Sequence, residues 1–161
     1  MMKSRGIVFI IVLFSSLLVT AQNKDEKEFR TSIEKYPKNT QKVVLNIPKK
    51  AKRIRHYQET DGEKLSYESK FKFKKHWFSV EFNSNGIIED IEKTIKEKEL
   101  PTSVKAFIKG YLKAQSTKYD LIKIQEQYHY SSKIPEVQFL NSIVENNELI
   151  DSNYEIIIAL K

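Results

Sequence analysis

Three histidines, His56, His76 and His129, are the side chains best suited to proton or metal chemistry, because imidazole changes charge near neutrality. None stands three or four residues from another, so a histidine metal site would need three separate strand segments to converge. Ser32-Ile33-Glu34-Lys35 has the Ser-x-x-Lys spacing in which a lysine can activate a serine, but the companion Ser-Asp-Asn and Lys-Thr-Gly motifs are missing. There is no Gly-x-Ser-x-Gly elbow, and the four glycines (Gly6, Gly62, Gly86 and Gly110) form no phosphate-cradling loop. Glu89-Asp90 and Glu97 with Glu99 offer the paired carboxylates of a glycosidase, yet they stand among lysines in segments that read as solvated. The absence of cysteine excludes thiol nucleophiles, thiolate zinc sites and disulfides. No catalytic residue, cofactor or metal ligand set is predicted.

Charge is the stronger signal. The 161 residues carry a formal net charge of +7. From Lys42 to Lys75 eleven Lys or Arg stand against four acids, whereas from His76 onward ten bases stand against thirteen acids. Such a basic first half suits an anionic partner. Arg53, Arg55, Lys70, Lys72 and Lys74, with the single tryptophan Trp77 beside them, are the predicted partner-binding surface. Lysine on a solvated sheet edge is the competing explanation for these charges. No nucleic-acid motif is present.

The elements that would position these residues are legible from periodicity. Thr40, Val43, Val44 and Ile47 after Pro37 predict a short helix that Pro48 ends. Lys52–Gln58 reads as a basic strand closed by the turn Glu59–Gly62. In Leu65–Lys74 the odd positions Leu65, Tyr67, Phe71 and Phe73 are apolar, and the even ones predict a wet face. Trp77–Phe82 puts Phe78, Val80 and Phe82 on one face and Trp77 on the other; Asn83-Ser84-Asn85-Gly86 then turns the chain into a strand over Ile87–Lys93. Thr102–Lys113 is an amphipathic helix whose Val104, Phe107, Ile108, Tyr111 and Leu112 are expected inside, opposite Lys105, Lys109 and Lys113. Tyr119–Tyr130 and Tyr154–Leu160 read as strands, the first with Ile122, Ile124 and Tyr128 at one parity. Val137–Val144 fits either strand or helix, and Asn146-Asn147 a turn.

Lys3 and Arg5, an apolar run from Gly6 to Thr20 and the small residues Val19–Ala21 fit a cleaved secretory signal over residues 1–21, with no stable membrane span afterwards. Residues 22–35 read as a flexible lead-in, and residues 36–161 as a single domain. A helix followed by a meander occurs twice, with units at 36–98 and 99–161. The predicted fold is α+β: an antiparallel sheet of about six to seven strands with two main helices, from a duplicated helix-plus-meander unit.

Lys64-Leu-Ser-Tyr-Glu, Phe78-Ser-Val-Glu-Phe, Asn85-Gly86-Ile-Ile-Glu-Asp, Glu99-Leu-Pro-Thr-Ser-Val104 and Asn153-Tyr-Glu-Ile-Ile157 resemble, in that order, the PepSY-like family of periplasmic proteins, also described as beta-lactamase-inhibitor-like. The resemblance covers roughly Ile47 to Lys161 and departs from a tidy repeat at Ser131–Asp151. It implies a signal peptide, a periplasmic or secreted address and repeated helix-plus-meander units, and it carries no catalytic residues. The expectation is an exported, non-catalytic binding or inhibitory module acting on a protein or anionic envelope partner. The alternative is an envelope hydrolase or metal-dependent enzyme.

Overall fold

The computed structural model describes residues 8–13, 26–114, 118–146 and 150–160. Its elements in chain order are the strands β1 (Val8–Leu13) and β2 (Glu26–Thr31), helix α1 (Lys38–Val44), strands β3 (Lys52–Asp61), β4 (Lys64–Phe73), β5 (His76–Asn83) and β6 (Ile88–Thr94), helix α2 (Thr102–Ala114), strand β7 (Tyr119–His129), helix α3 (Glu136–Asn141) and strand β8 (Asn153–Leu160). Seven of the strands pair antiparallel and three helices accompany them, so the chain is α+β, with one helix more than the two expected. The expected cleavage site at Val19–Ala21 lies outside the described residues, as does Asn147 of the expected turn. Among the described residues no helix is long and apolar enough to cross a membrane.

Two compact units divide the chain. The first gathers Thr20–Lys93 and Tyr128–Ile150, and its strands run side by side in the order β2-β3-β4-β5-β6. One face of this meander buries Tyr67, Phe71, Phe78, Val80, Phe82, Ile88 and Ile91. Val43, Val44 and Ile47 from α1 and its C-terminal edge, with Phe139, Leu140, Ile143 and Val144 from α3 and the turn after it, close the core. The ambiguous stretch at Val137–Val144 is therefore helical, and it ends in a wide π turn over Ser142–Asn146. Tyr36 sits buried under the sheet, its hydroxyl bonded to the carbonyls of Tyr57 and Glu68; burial pushes that phenol up to about 12.

Two expectations fail in this unit. Residues 22–35 are not a flexible lead-in throughout, because Glu26–Thr31 is a strand paired antiparallel with β3. Backbone hydrogen bonds to a neighbour can hold a polar edge strand that shows no apolar period of its own. β3 also runs on to Asp61, through most of the predicted turn Glu59–Gly62, and only Gly62 and Glu63 make the bend.

The second unit gathers Thr94–Gln127 and Asp151–Lys161 with the strand Val8–Leu13. β8 lies between β1, which is parallel to it, and β7, which is antiparallel. Its core is Ile95, Leu100, Ile108, Leu112, Ile124, Tyr154, Ile156 and Ile158. Here α2 buries Ile108 and Leu112, whereas Phe107 is 54% and Tyr111 40% exposed, contrary to expectation. The five apolar positions of α2 span a wider arc than one contact stripe, and the stripe spaced by four residues from Val104 takes the core. Ile122 also points out, at 58% exposure, because a bulge between Leu121 and Lys123 breaks the parity it shares with Ile124.

Candidate functional site

The register of the first meander decides which polar side chains meet. A two-residue turn at Lys74-Lys75 sets Phe73 opposite His76, and that pairing places Glu68 opposite Glu81; β6 then places Asp90 opposite Glu81. Three carboxylates thus stand in one row across three strands, on the face away from α1 and α3. Side chains so paired lie about 4.5–5.5 Å apart at Cβ, and like charges there repel. This face is not wet at its centre, contrary to the sequence expectation: Glu68 is 4% and Asp90 7% exposed. Asp90 is therefore no member of a solvated pair with Glu89, which is exposed.

Lys70 and protons share the task of holding this strip. Lys70 Nζ lies 2.6 Å from Glu68 Oε2 and 3.1 Å from Glu28 Oε2, and 4.9 Å from the centre of the Tyr57 ring. The contact with Glu68 has the distance of an ion pair without the angles of a hydrogen bond, so that buried oxygen is compensated by charge. The Ser79 hydroxyl donates to the other oxygen, Glu68 Oε1. Burial pulls the Lys70 ammonium down, but Glu68 and then Glu28 hold it above its ordinary value. Burial, followed by Asp90, Glu92, Glu68 and Glu59, pushes Glu81 up to about 8. Glu59 is pushed up to about 7 by burial and then by Glu68. Carboxylate oxygens of Glu28, Glu59 and Glu68 lie within 4.8 Å of one another, the spacing of a cation cage, and the Lys70 ammonium already supplies the positive charge there.

The predicted basic surface divides accordingly. Lys70, expected among solvated cations, is half-buried and ion-paired. Lys72 stands between Lys52 and Trp77 in one cross-strand row, so the structure does place the tryptophan on the side away from Phe78 and beside Lys72. Arg55 is exposed opposite Lys70, and Arg53, at φ 57°, sits in the bulge between Lys52 and Arg55. Lys74 occupies the β4–β5 turn at φ 52°, a left-handed conformation that glycine or asparagine adopts at less cost.

That turn borders a cavity of about 300 Å³, lined by Phe73, Lys74, Lys75, His76, Phe78, Lys93 and Val144. Its lining is part apolar and part cationic. Lys93 is 9% exposed, on the strand face it shares with Ile91 and opposite Phe78. Lys74 Nζ donates to the Glu145 carbonyl at 3.3 Å, joining the hairpin to the π turn. Lys75, His76 and Lys93 escape a reading by composition alone. The signal that could have found them is the Lys-Lys pair in a two-residue turn, where Gly or Asn is the economical choice.

The histidines do not form one site. His56 and His76 lie on the two sides of β4, opposite Ser69 and Phe73, and are offset along it by roughly 13 Å at 3.3 Å per residue. The His56 ring bonds Ser69 Oγ through Nδ1 at 3.0 Å and meets Tyr36 edge-on; burial lowers its basicity. His129 is exposed, 3.9 Å from Asp90. Ser32 and Lys35 flank and end an exposed 3-10 turn, and Glu97 and Glu99 are exposed in another, where Glu99 accepts from the Lys96 backbone.

Comparison with known proteins returns no match: no family model, no curated protein and no solved structure matches the chain.

Proposed function

We propose that this is an exported, non-catalytic binding or inhibitory module, PepSY-like in kind, that takes an anionic envelope partner at the β4–β5 end of its first unit. One observation carries the reading. Lys52, Lys72 and Trp77 stand side by side on one face of the sheet, at the end where the turn adds Lys74 and Lys75. Cations in line with an aromatic side chain offer an anionic surface both charge and contact area. The test is binding of the chain to lipopolysaccharide micelles across a salt series. Affinity should fall as ionic strength rises, since exposed charges are screened over about 10 Å at 0.1 M. Changing Lys52, Arg55 and Lys72 together to Glu should abolish it, with Lys70 left in place because it neutralises Glu68. Binding that survives reversal at low salt would sink the reading.

A hydrolase reading draws on one observation of its own. Glu81, held at about 8, keeps its proton near neutrality beside Glu68 and Asp90, the condition a general acid requires. Glu81→Gln would remove any glycan hydrolysis that this strip performs.

A further inference from the structure

We propose that the cavity at the β4–β5 turn binds a single-chain amphiphilic anion, with its anionic head among Lys74, Lys75, His76 and Lys93 and its tail over Phe73, Phe78 and Val144. The proposal deepens the reading of this end as an anion-binding site and rests on it. Three independent features point to a ligand of both characters. First, a lysine that is nine-tenths buried stands on the core-facing side of β6, in line with Ile91. An apolar residue in that place would strengthen the core more than a cation does, even one whose charge is compensated, so packing alone does not explain it. Second, the chain accepts a left-handed Lys74, followed by Lys75, in a turn that needs only two residues of glycine or asparagine type. Backbone held in a sparsely populated region tends to mark functional positions. Third, α3 widens into a π turn at Ser142–Asn146, and Val144 of that turn walls the cavity. Such turns recur at functional sites.

The size narrows the class. At about 300 Å³ the cavity stands at the low end of small-molecule sites, which run from about 300 to 1,000 Å³. One short acyl or alkyl chain fits that volume; the paired chains of a bilayer lipid do not. A carboxylate, sulfate or phosphate head meets the same cations, so the shared chemistry is a compact anion on one apolar chain.

The experiment is calorimetric titration of the chain with octanoate, beside octan-1-ol, inorganic phosphate and phosphatidylglycerol vesicles. Octanoate should bind, with octanol and phosphate each weaker by about ten-fold or more. Lys74→Gly with Lys75→Ala should weaken octanoate about ten-fold without lowering the thermal midpoint, because glycine relieves the left-handed turn. Lys93→Met should lose octanoate and leave octanol unchanged, which separates loss of the head contact from loss of the fold. Phosphate as tight as octanoate would overturn the proposal, and so would octanol as tight as octanoate or vesicles tighter than both. If no probe enters while lipopolysaccharide binding still depends on Lys52, Arg55 and Lys72, this proposal fails and the wider reading stands. If octanoate binds as expected and lipopolysaccharide does not, the wider reading fails and the cavity remains.

Discussion

The two faces of the β2–β6 meander come from the same strands by the same alternation, yet they are held by different physics. The face under α1 and α3 leaves Phe71, Phe82 and Ile91 at 0% exposure and draws on apolar burial, which is non-directional and insensitive to pH. The opposite face buries Glu68 and Asp90 almost as deeply, with Glu81 between them, and draws on one lysine and on protons. Parity tells which side of a sheet a residue points to. It does not tell whether that side is wet. The difference can be broken or sharpened by perturbing each face in turn.

The largest effect belongs to the apolar face. Phe71 is fully buried and stacked on Phe78 at 5.4 Å between ring centres, so Phe71→Ala should cost about 3–5 kcal/mol, read from urea unfolding at pH 5 and again at pH 9. The loss should be the same at both pH values. A loss that varied strongly with pH would mean that the two faces are not separate in mechanism.

The carboxylate face should show the reverse behaviour. Glu81 stands at about 8 against an ordinary 4.5, so the folded chain holds its proton more tightly than the unfolded one. The stability this contributes is fully present below about pH 4.5 and is lost as pH rises through about 8. At about 1.4 kcal/mol per pH unit the ceiling is ~5 kcal/mol, and a loss of about 2–3 kcal/mol between pH 5 and 9 is the expected order of magnitude. Glu59, raised to about 7, adds in the same direction. Glu81→Gln should flatten the profile. A wild-type urea midpoint that rose from pH 5 to pH 9 would contradict the picture of a strip held by protons.

How much of this could be read beforehand follows from the same alternation. Leu65, Tyr67, Phe71 and Phe73 announce β4 because period two is a local property, and Asn83–Gly86 announces its turn by residue type. The row Glu68, Glu81 and Asp90 is not local. It depends on counting back from the Lys74-Lys75 turn, and then on a bulge between Glu81 and Phe82 that shifts β6 by one. Lys93 beside the cavity depends on that same shift. The basic row Lys52–Lys72–Trp77 is half legible: Lys72 and Trp77 belong to the predicted surface, but Lys52 and the alignment need the register. β2 escaped because an edge strand with polar residues on both sides leaves no hydrophobic trace.

A third, smaller test concerns how the helical layer finds the sheet. Gly86 has φ 77°, and a Cβ there would come within 2.7 Å of Asn39 Oδ1 and of Pro37 Cβ. Asn39 and Thr40 meanwhile bond the Gly86 carbonyl at 2.8 and 3.0 Å, so the turn docks directly on the start of α1. Gly86→Ala should cost about 2 kcal/mol, from the left-handed backbone and from crowding. Gly62→Ala, at φ 59° with nothing within 4 Å, should cost only the backbone part, about 1 kcal/mol. Equal losses at the two glycines would show that the close approach to α1 contributes nothing.

The smallest expected effect lies in the second unit, where α2 repeats the lesson of the sheet faces on a helix. Val104, Phe107, Ile108, Tyr111 and Leu112 look like one apolar stripe in the sequence, but only the line spaced by four residues from Val104 packs against Leu100, Ile124 and Ile156. Phe107 lies one step off that line and is more than half exposed. Its removal takes little apolar area out of contact, and Phe107→Ala should shift stability by less than about 0.5 kcal/mol. Leu112, at 4% exposure, is the control on the same helix and should cost about 2–5 kcal/mol when cut to Ala. Both are read from urea midpoints at one pH, since neither side chain titrates. Similar losses at the two positions would place Phe107 in the core and return the helix to the orientation its sequence first suggests.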